Sequence, residues 1–207
     1  MTMQYLLILR GEKGNLLTLS DEIITDCDVD IVHFRENGDV FQIVIHGKED
    51  DITRLLEKLK QFGLKQVSKI PLSDTLDMDK FLDFLPLFIK LEKMTVRVYE
   101  KNKLNRNVQE KFKKFFQVYD ELKRAVGVNY PITLLYLAKM MKNVDKCLKL
   151  VCFYHNVDLK NAKQVLEALC QEKFIKIRDN VILFSLKGAI ILEMFKKFII
   201  EVLETLH

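Results

Sequence analysis

Apolar and polar positions follow three different patterns along the chain. In residues 1–72, apolar runs of strand length alternate with two stretches whose apolar residues recur at helical spacing. The runs predict strands at residues 5–9, 29–33, 40–45 and 64–70. The helical spacing predicts helices at residues 16–24 and 49–62. The Asn37-Gly38 pair favours a hairpin between the second and third strands.

The middle of the chain is dominated by helical patterns. Residues 77–91 favour a helix, although Pro86 should kink or end it. Residues 94–99 alternate like a short strand. Residues 108–126 form a strongly amphipathic helix with aromatic residues on its apolar side. We interpret residues 73–129 as a mostly helical connector.

The last third of the chain combines helices with a short hairpin. Three helical runs are predicted: one that follows Pro131, one at residues 144–154 and one at residues 159–170. A polar turn precedes the third run. Two short apolar strands then flank the polar pair Asp179-Asn180, which favours a hairpin. This order predicts a winged helix-turn-helix, in which the third helix enters the DNA major groove.

These patterns predict an α+β protein in three parts. Residues 1–72 have the order βαββαβ, a ferredoxin-like plan with two helices on one face of an antiparallel sheet. Residues 73–129 are the connector, and residues 130–207 are the winged helix-turn-helix with a C-terminal helix. The apolar faces of residues 108–126 and 189–206 are wider than one contact requires, so we expect a homodimer.

The third helix of the last part carries the groups that duplex DNA recognition needs. Its apolar positions predict a buried stripe of Leu159, Ala162, Val165, Leu166 and Leu169. The candidate DNA-binding residues on its other faces are Lys160, Asn161, Lys163 and Gln164. Lys can reach guanine or phosphate, and Asn and Gln can pair with adenine. On the hairpin, Lys176, Arg178 and Asn180 are candidates for the DNA backbone or minor groove.

Two resemblances add to these predictions. The 130–188 pattern, with its Phe184-Ser185-Leu186-Lys187-Gly188 ending, resembles archaeal and bacterial winged-helix transcription regulators. The order of residues 1–72, with a glycine loop entering a helix, resembles ACT-like regulatory domains. That second resemblance implies a small-molecule effector bound at Gly11, Gly14 and Asn15. Lys13 and Gly14 stand where that family usually has Pro-Gly.

Charge is distributed unevenly along the chain. Residues 1–74 contain 9 Lys and Arg against 13 Asp and Glu, whereas residues 75–207 contain 24 against 16. An acidic front and a basic back suggest different partners for the two halves, with double-stranded DNA on the basic side.

Motifs of other protein classes are missing from the sequence. There is no phosphate loop and no nucleophile motif, so we do not expect an enzyme. The four cysteines lack the paired spacing of zinc sites, and we expect neither a metal nor another cofactor. No apolar run approaches the ~18 residues of a membrane span, and the N-terminus lacks signal-peptide features. We therefore expect a cytoplasmic protein without membrane contact.

A second hypothesis remains open for the same fold. The helical run at 144–154 is more apolar than a DNA-binding helix-turn-helix requires. The winged unit would then be a protein-interaction subunit of a larger assembly that does not bind DNA. An enzyme without a recognisable motif is the weakest alternative.

Overall fold

The computed structural model describes residues 1–11, 27–72, 78–101 and 105–205, with only the backbone of residues 78–84 and 205. It is a mixed α+β protein with a small antiparallel sheet and several helices. The predicted helix at 16–24 lies outside the described residues, as do Gly14 and Asn15.

The N-terminal part forms a four-stranded antiparallel sheet with the order β2-β3-β1-β4. Its elements are β1 (Thr2–Arg10), β2 (Val29–Asn37), β3 (Val40–Lys48), α1 (Glu49–Gln61) and β4 (Lys65–Leu72). The predicted hairpin is confirmed: Asn37 pairs with Val40, and Gly38 takes a φ of +63° that glycine adopts without strain. Helix α1 buries Ile52, Leu55 and Leu59, as its pattern predicted.

The middle part contains two long helices, α2 (Met78–Glu100) and α3 (Arg106–Val126). The predicted strand at 94–99 is wrong, because those residues continue α2. Thr95 and Val96 are buried on the side of α2 that packs into the core, and tertiary packing outweighs their β-propensity. Pro86 lies inside α2 without ending it, and it is exposed, so the missing N–H lies on the solvent side.

The last part has the predicted order of three helices, a hairpin and a fourth helix. Its elements are α4 (Pro131–Met140), α5 (Val144–His155), α6 (Leu159–Gln171), β5 (Ile175–Arg178), β6 (Val181–Phe184) and α7 (Leu186–Thr205). Asn143 caps α5 by accepting from the Lys146 amide at 3.0 Å. The hairpin loop has positive φ at both Asp179 and Asn180, as in a type I′ turn.

An aromatic core joins α3 to α7. Phe115 lies 5.9 Å from Phe195 between ring centroids, and Phe112 lies 5.1 Å from Phe198. Helix α7 also packs on β2, α2 and α4. Most of the wide apolar faces that suggested a homodimer are therefore covered within one chain, although Ile200 and Leu203 of α7 stay exposed. The homodimer stays a prediction.

A buried glutamate ties the middle part to the last part. Glu92 of α2 is 1% exposed, and its carboxylate accepts from the amides of Ile132 and Thr133 at 2.9 and 2.8 Å. It also accepts from the Thr133 hydroxyl at 2.7 Å and the Tyr119 hydroxyl at 3.1 Å. Tyr130 provides no side-chain cap for α4, so Glu92 supplies the missing acceptor at the helix N-terminus. Burial raises the pKa of this carboxyl group, while the hydrogen bonds from Ile132, Thr133 and Tyr119 oppose that rise.

Candidate nucleic-acid interface

Helix α6 presents a polar face on a firmly packed base. Ala162, Val165, Leu166 and Leu169 are buried, as predicted. Leu159 is 53% exposed, so its place in the buried stripe was predicted wrongly. It is the first residue of α6 and lies beyond the end of the core contacts.

The four predicted contact residues of α6 are all exposed: Lys160, Asn161, Lys163 and Gln164. Within the described part of the chain, no ion pair or hydrogen bond occupies the ammonium groups of Lys160 and Lys163. Asp158 caps the helix by accepting from the Asn161 amide at 2.7 Å. Because this carboxylate already occupies the helix N-terminus, a phosphate would be met by the lysine side chains rather than by the helix amides.

The hairpin cations form ion pairs inside the chain, and their predicted contact with DNA stays a prediction. Lys176 forms an ion pair with Asp28, and Arg178 Nε lies 3.2 Å from the same carboxylate. Hydrogen bonding from Lys176 holds the pKa of Asp28 below its ordinary value. Asn180 Nδ2 donates to Asp145 at 3.3 Å. All three predicted hairpin contacts therefore have acidic partners inside the chain.

A second acid of the sheet anchors the same hairpin. Asp30 of β2 is 4% exposed and accepts from Lys142 Nζ at 2.7 Å and from the Phe184 amide at 2.8 Å. The sequence offered one signal for this role, an acid between the apolar residues Val29 and Ile31. Phe184 lies more than 150 positions from Asp30 in the sequence, so their hydrogen bond could not be predicted from local patterns.

The segment between α4 and α5 forms backbone hydrogen bonds with the hairpin. The Ile182 amide donates to the Lys142 carbonyl at 2.7 Å, and the Val144 amide donates to the Asn180 carbonyl at 3.1 Å. Asn143 and Val181 form an antiparallel bridge. The hairpin is therefore held from both sides, by this bridge and by the acids of the sheet.

The region around the turn between α5 and α6 also exposes apolar side chains. Phe153, near the end of α5, is 78% exposed and contacts the Tyr154 ring edge to face at 5.0 Å. Leu159 lies on the other side of the turn. An exposed aromatic ring of this size could serve as an anchor in a protein contact.

Gly11 has a packing role. Its amide donates to the Asp39 carbonyl at 3.0 Å, and a Cβ at this position would lie 2.4 Å from Leu64 Cδ2. The close approach of Leu64 alone accounts for glycine here. Ligand binding by Gly11 remains a prediction, and Gly14 and Asn15 lie outside the described residues.

Other chemistry has little support among the residues that the structure describes. They contain no group of three or more His, Cys, Asp or Glu that could hold a metal. Burial raises the pKa of the Cys147 thiol to about 12, so it stays protonated and unreactive near neutral pH. None of the described helices is both long and apolar enough to cross a membrane.

Comparisons with protein-family models, curated proteins and solved structures found no match. What the protein does must therefore be inferred from its own side chains.

Proposed function

We propose that the protein is a transcriptional regulator that binds duplex DNA through helix α6. The observation that carries the proposal is the polar face of α6, where Lys160 and Lys163 are exposed beside Asn161 and Gln164. Lysines without acidic partners in the described chain can neutralise phosphates, while the two amides can pair with base edges.

The arrangement of elements supports this proposal. The strand order β2-β3-β1-β4 is the one that a ferredoxin-like plan requires. The bridge between Asn143 and Val181 adds a short strand to the hairpin, as in a winged helix-turn-helix. Residues 1–72 would then be an assembly or regulatory domain, with any small-molecule effector bound there.

The hairpin contributes to DNA binding in a second step under this proposal. Its two cations pair with Asp28 in the structure, so they reach phosphate only when that carboxylate releases them. The contact through α6 needs no such release. We therefore assign the first contact to α6 and a conditional contact to the hairpin.

A salt titration of DNA binding tests the contact helix. Each phosphate neutralised adds about 0.9 to the slope of log affinity against log salt. Lys160→Ala/Lys163→Ala should weaken binding and lower that slope by up to about 1.8. The matched control is Lys60→Ala/Lys65→Ala, which removes the same charge near β4, at the opposite edge of the sheet from β2.

Comparison of the two double variants distinguishes direct phosphate contact by α6 from an effect of the net charge of the protein. Equal loss in both double variants would mean that only net charge matters, and α6 would not be the contact helix. Unchanged affinity and slope in the folded α6 variant would reject the proposal outright.

A protein-interaction subunit is the second candidate, favoured by the exposed Phe153. Its apolar ring next to the turn would serve a protein partner better than a phosphate backbone. The two candidates differ in one measurement. A folded protein that fails to retain duplex DNA even at about 50 mM salt, where cationic contacts are strong, would favour the protein partner.

A further inference from the structure

A small cavity lies where the sheet meets the helices of the last part. It is lined by His33 and Phe34 of β2, Tyr136 and Lys139 of α4, and Glu193 and Lys196 of α7. Its volume is about 40 Å³. One water needs ~10–15 Å³, so the cavity fits a small tetrahedral ion but not a nucleotide.

The charged groups that line this cavity form no hydrogen bond or ion pair in the described part of the chain. Glu193 is 7% exposed, yet in the described part of the chain its carboxylate has no hydrogen bond or ion pair. The same holds for the ammonium groups of Lys139 and Lys196. A carboxylate in a side chain as buried as Glu193 is normally paired, whereas Lys139 is half-buried and Lys196 is exposed. Nearby Lys142 shows the ordinary arrangement, with Asp30 at 2.7 Å.

The balance of charge favours an anion. Two ammonium groups, Lys139 and Lys196, line the cavity with one carboxylate, Glu193. Burial lowers the pKa of the His33 imidazole, which therefore adds a neutral polar group rather than a charge. Burial, followed by the charge of Lys142, lowers the pKa of Lys139 to about 8, so the ammonium form is less stable here than in an exposed lysine. Burial also raises the pKa of Glu193. An anion would relieve the crowding of positive charge, but it must also satisfy a carboxylate acceptor.

We propose that this cavity binds hydrogen phosphate, with Lys139 and Lys196 donating to its oxygens and its P–OH donating to Glu193. Among common oxyanions of this size, sulfate at neutral pH has no proton to donate. Its oxygens would face the Glu193 carboxylate directly, which is repulsive. The single carboxylate therefore makes the site selective for a protonated oxyanion.

The site would couple the two halves of the chain. His33 and Phe34 belong to the sheet, whereas the lysines and Glu193 belong to α4 and α7. A ligand held by both sides stabilises their docked arrangement. The inference does not depend on DNA binding, and it stands or fails separately.

Titration calorimetry and thermal unfolding of the full chain, with phosphate and sulfate at equal pH and ionic strength, test the site. Phosphate should bind and stabilise the protein, and sulfate should do so much more weakly. Lys196→Ala should reduce phosphate affinity on the order of tenfold, since it removes a charge-assisted hydrogen bond. Lys149→Ala, which removes an exposed lysine of α5, should leave it unchanged.

Glu193→Gln tests selectivity, because the amide no longer repels sulfate. It should bring the two affinities close together. Equal response to phosphate and sulfate in the unaltered protein would overturn the proposal, as would equal phosphate affinity in Lys196→Ala and Lys149→Ala. If methyl phosphate binds at least as well as inorganic phosphate, the group enters as a monoester with its carbon outside the cavity.

Discussion

Glu92 offers the sharpest test of how the middle helices hold the last part together. Glu92→Ala removes a carboxylate that is 1% exposed and accepts four hydrogen bonds. The amides of Ile132 and Thr133 would lose their acceptor at the start of α4. Water cannot readily replace it, because the site is buried.

The cost can be bounded from these contacts. A buried donor left without a partner costs ~1–3 kcal/mol, and three of the four donors belong to the first turn of α4. Such costs are not additive, since the Thr133 hydroxyl can rotate toward another acceptor. We therefore expect a loss of about 3–5 kcal/mol, which is less than the full sum for three unsatisfied donors. For a chain of this size, that lowers Tm by roughly 6–20 °C.

Urea and thermal unfolding followed by circular dichroism measure this loss. Glu92→Gln should cost less than Glu92→Ala, because the amide oxygen still accepts from one pair of donors. Glu110→Ala removes an exposed glutamate of α3 and should change stability by no more than ~0.5 kcal/mol. A folded Glu92→Ala protein that loses under ~1 kcal/mol would refute the capping role.

Three further predictions follow from the site and its surroundings. Asp28→Asn should cost little stability, ~0.2–1 kcal/mol per surface pair, yet raise DNA affinity and the salt slope by freeing two cations; an unchanged slope would contradict the conditional contact. Burial lowers the pKa of His155 to about 4, so the stability associated with its neutral form is present above the ordinary pKa of 6.5 and is lost as the pH falls from 6.5 toward 4. His155→Gln should therefore lose less stability over this pH range, by ~3 kcal/mol at most. For the homodimer that the sequence predicts, light scattering should give about twice 24.4 kDa, and Ile200→Asp/Leu203→Asp, at apolar positions still exposed on α7, should restore the monomer mass; a monomer at the highest soluble concentration would reject it.

The local patterns predicted most elements because they depend on neighbours in sequence. The Asn37-Gly38 and Asp179-Asn180 pairs marked both hairpins, since positive φ is a local requirement. The pattern at 94–99 misled because six residues are too few to distinguish the strand period from the helical period. Helix α2 continues there because Thr95 and Val96 are buried against the core, which no local pattern encodes.

The exposure of the candidate residues on α6 was predictable from the sequence, and the ion pairs of the hairpin cations were not. Exposure of Lys160 and Lys163 follows from the helical period. The pairing of Lys176 and Arg178 with Asp28 depends on how two distant parts dock. The Glu92 cap and the charged cavity are likewise tertiary features, built from residues that look ordinary in sequence.

The burial of Asp30 has a consequence for the chain as it is being synthesised. Strand β2 is an edge of the sheet, and 154 positions separate Asp30 from its partner Phe184. At ~5–20 residues per second, that partner emerges roughly 8–30 s later. During this interval the inward-facing carboxylate discourages the edge from pairing with strands of other nascent chains. The Asp30 side chain thus first opposes pairing at the edge strand and later joins that strand to the hairpin.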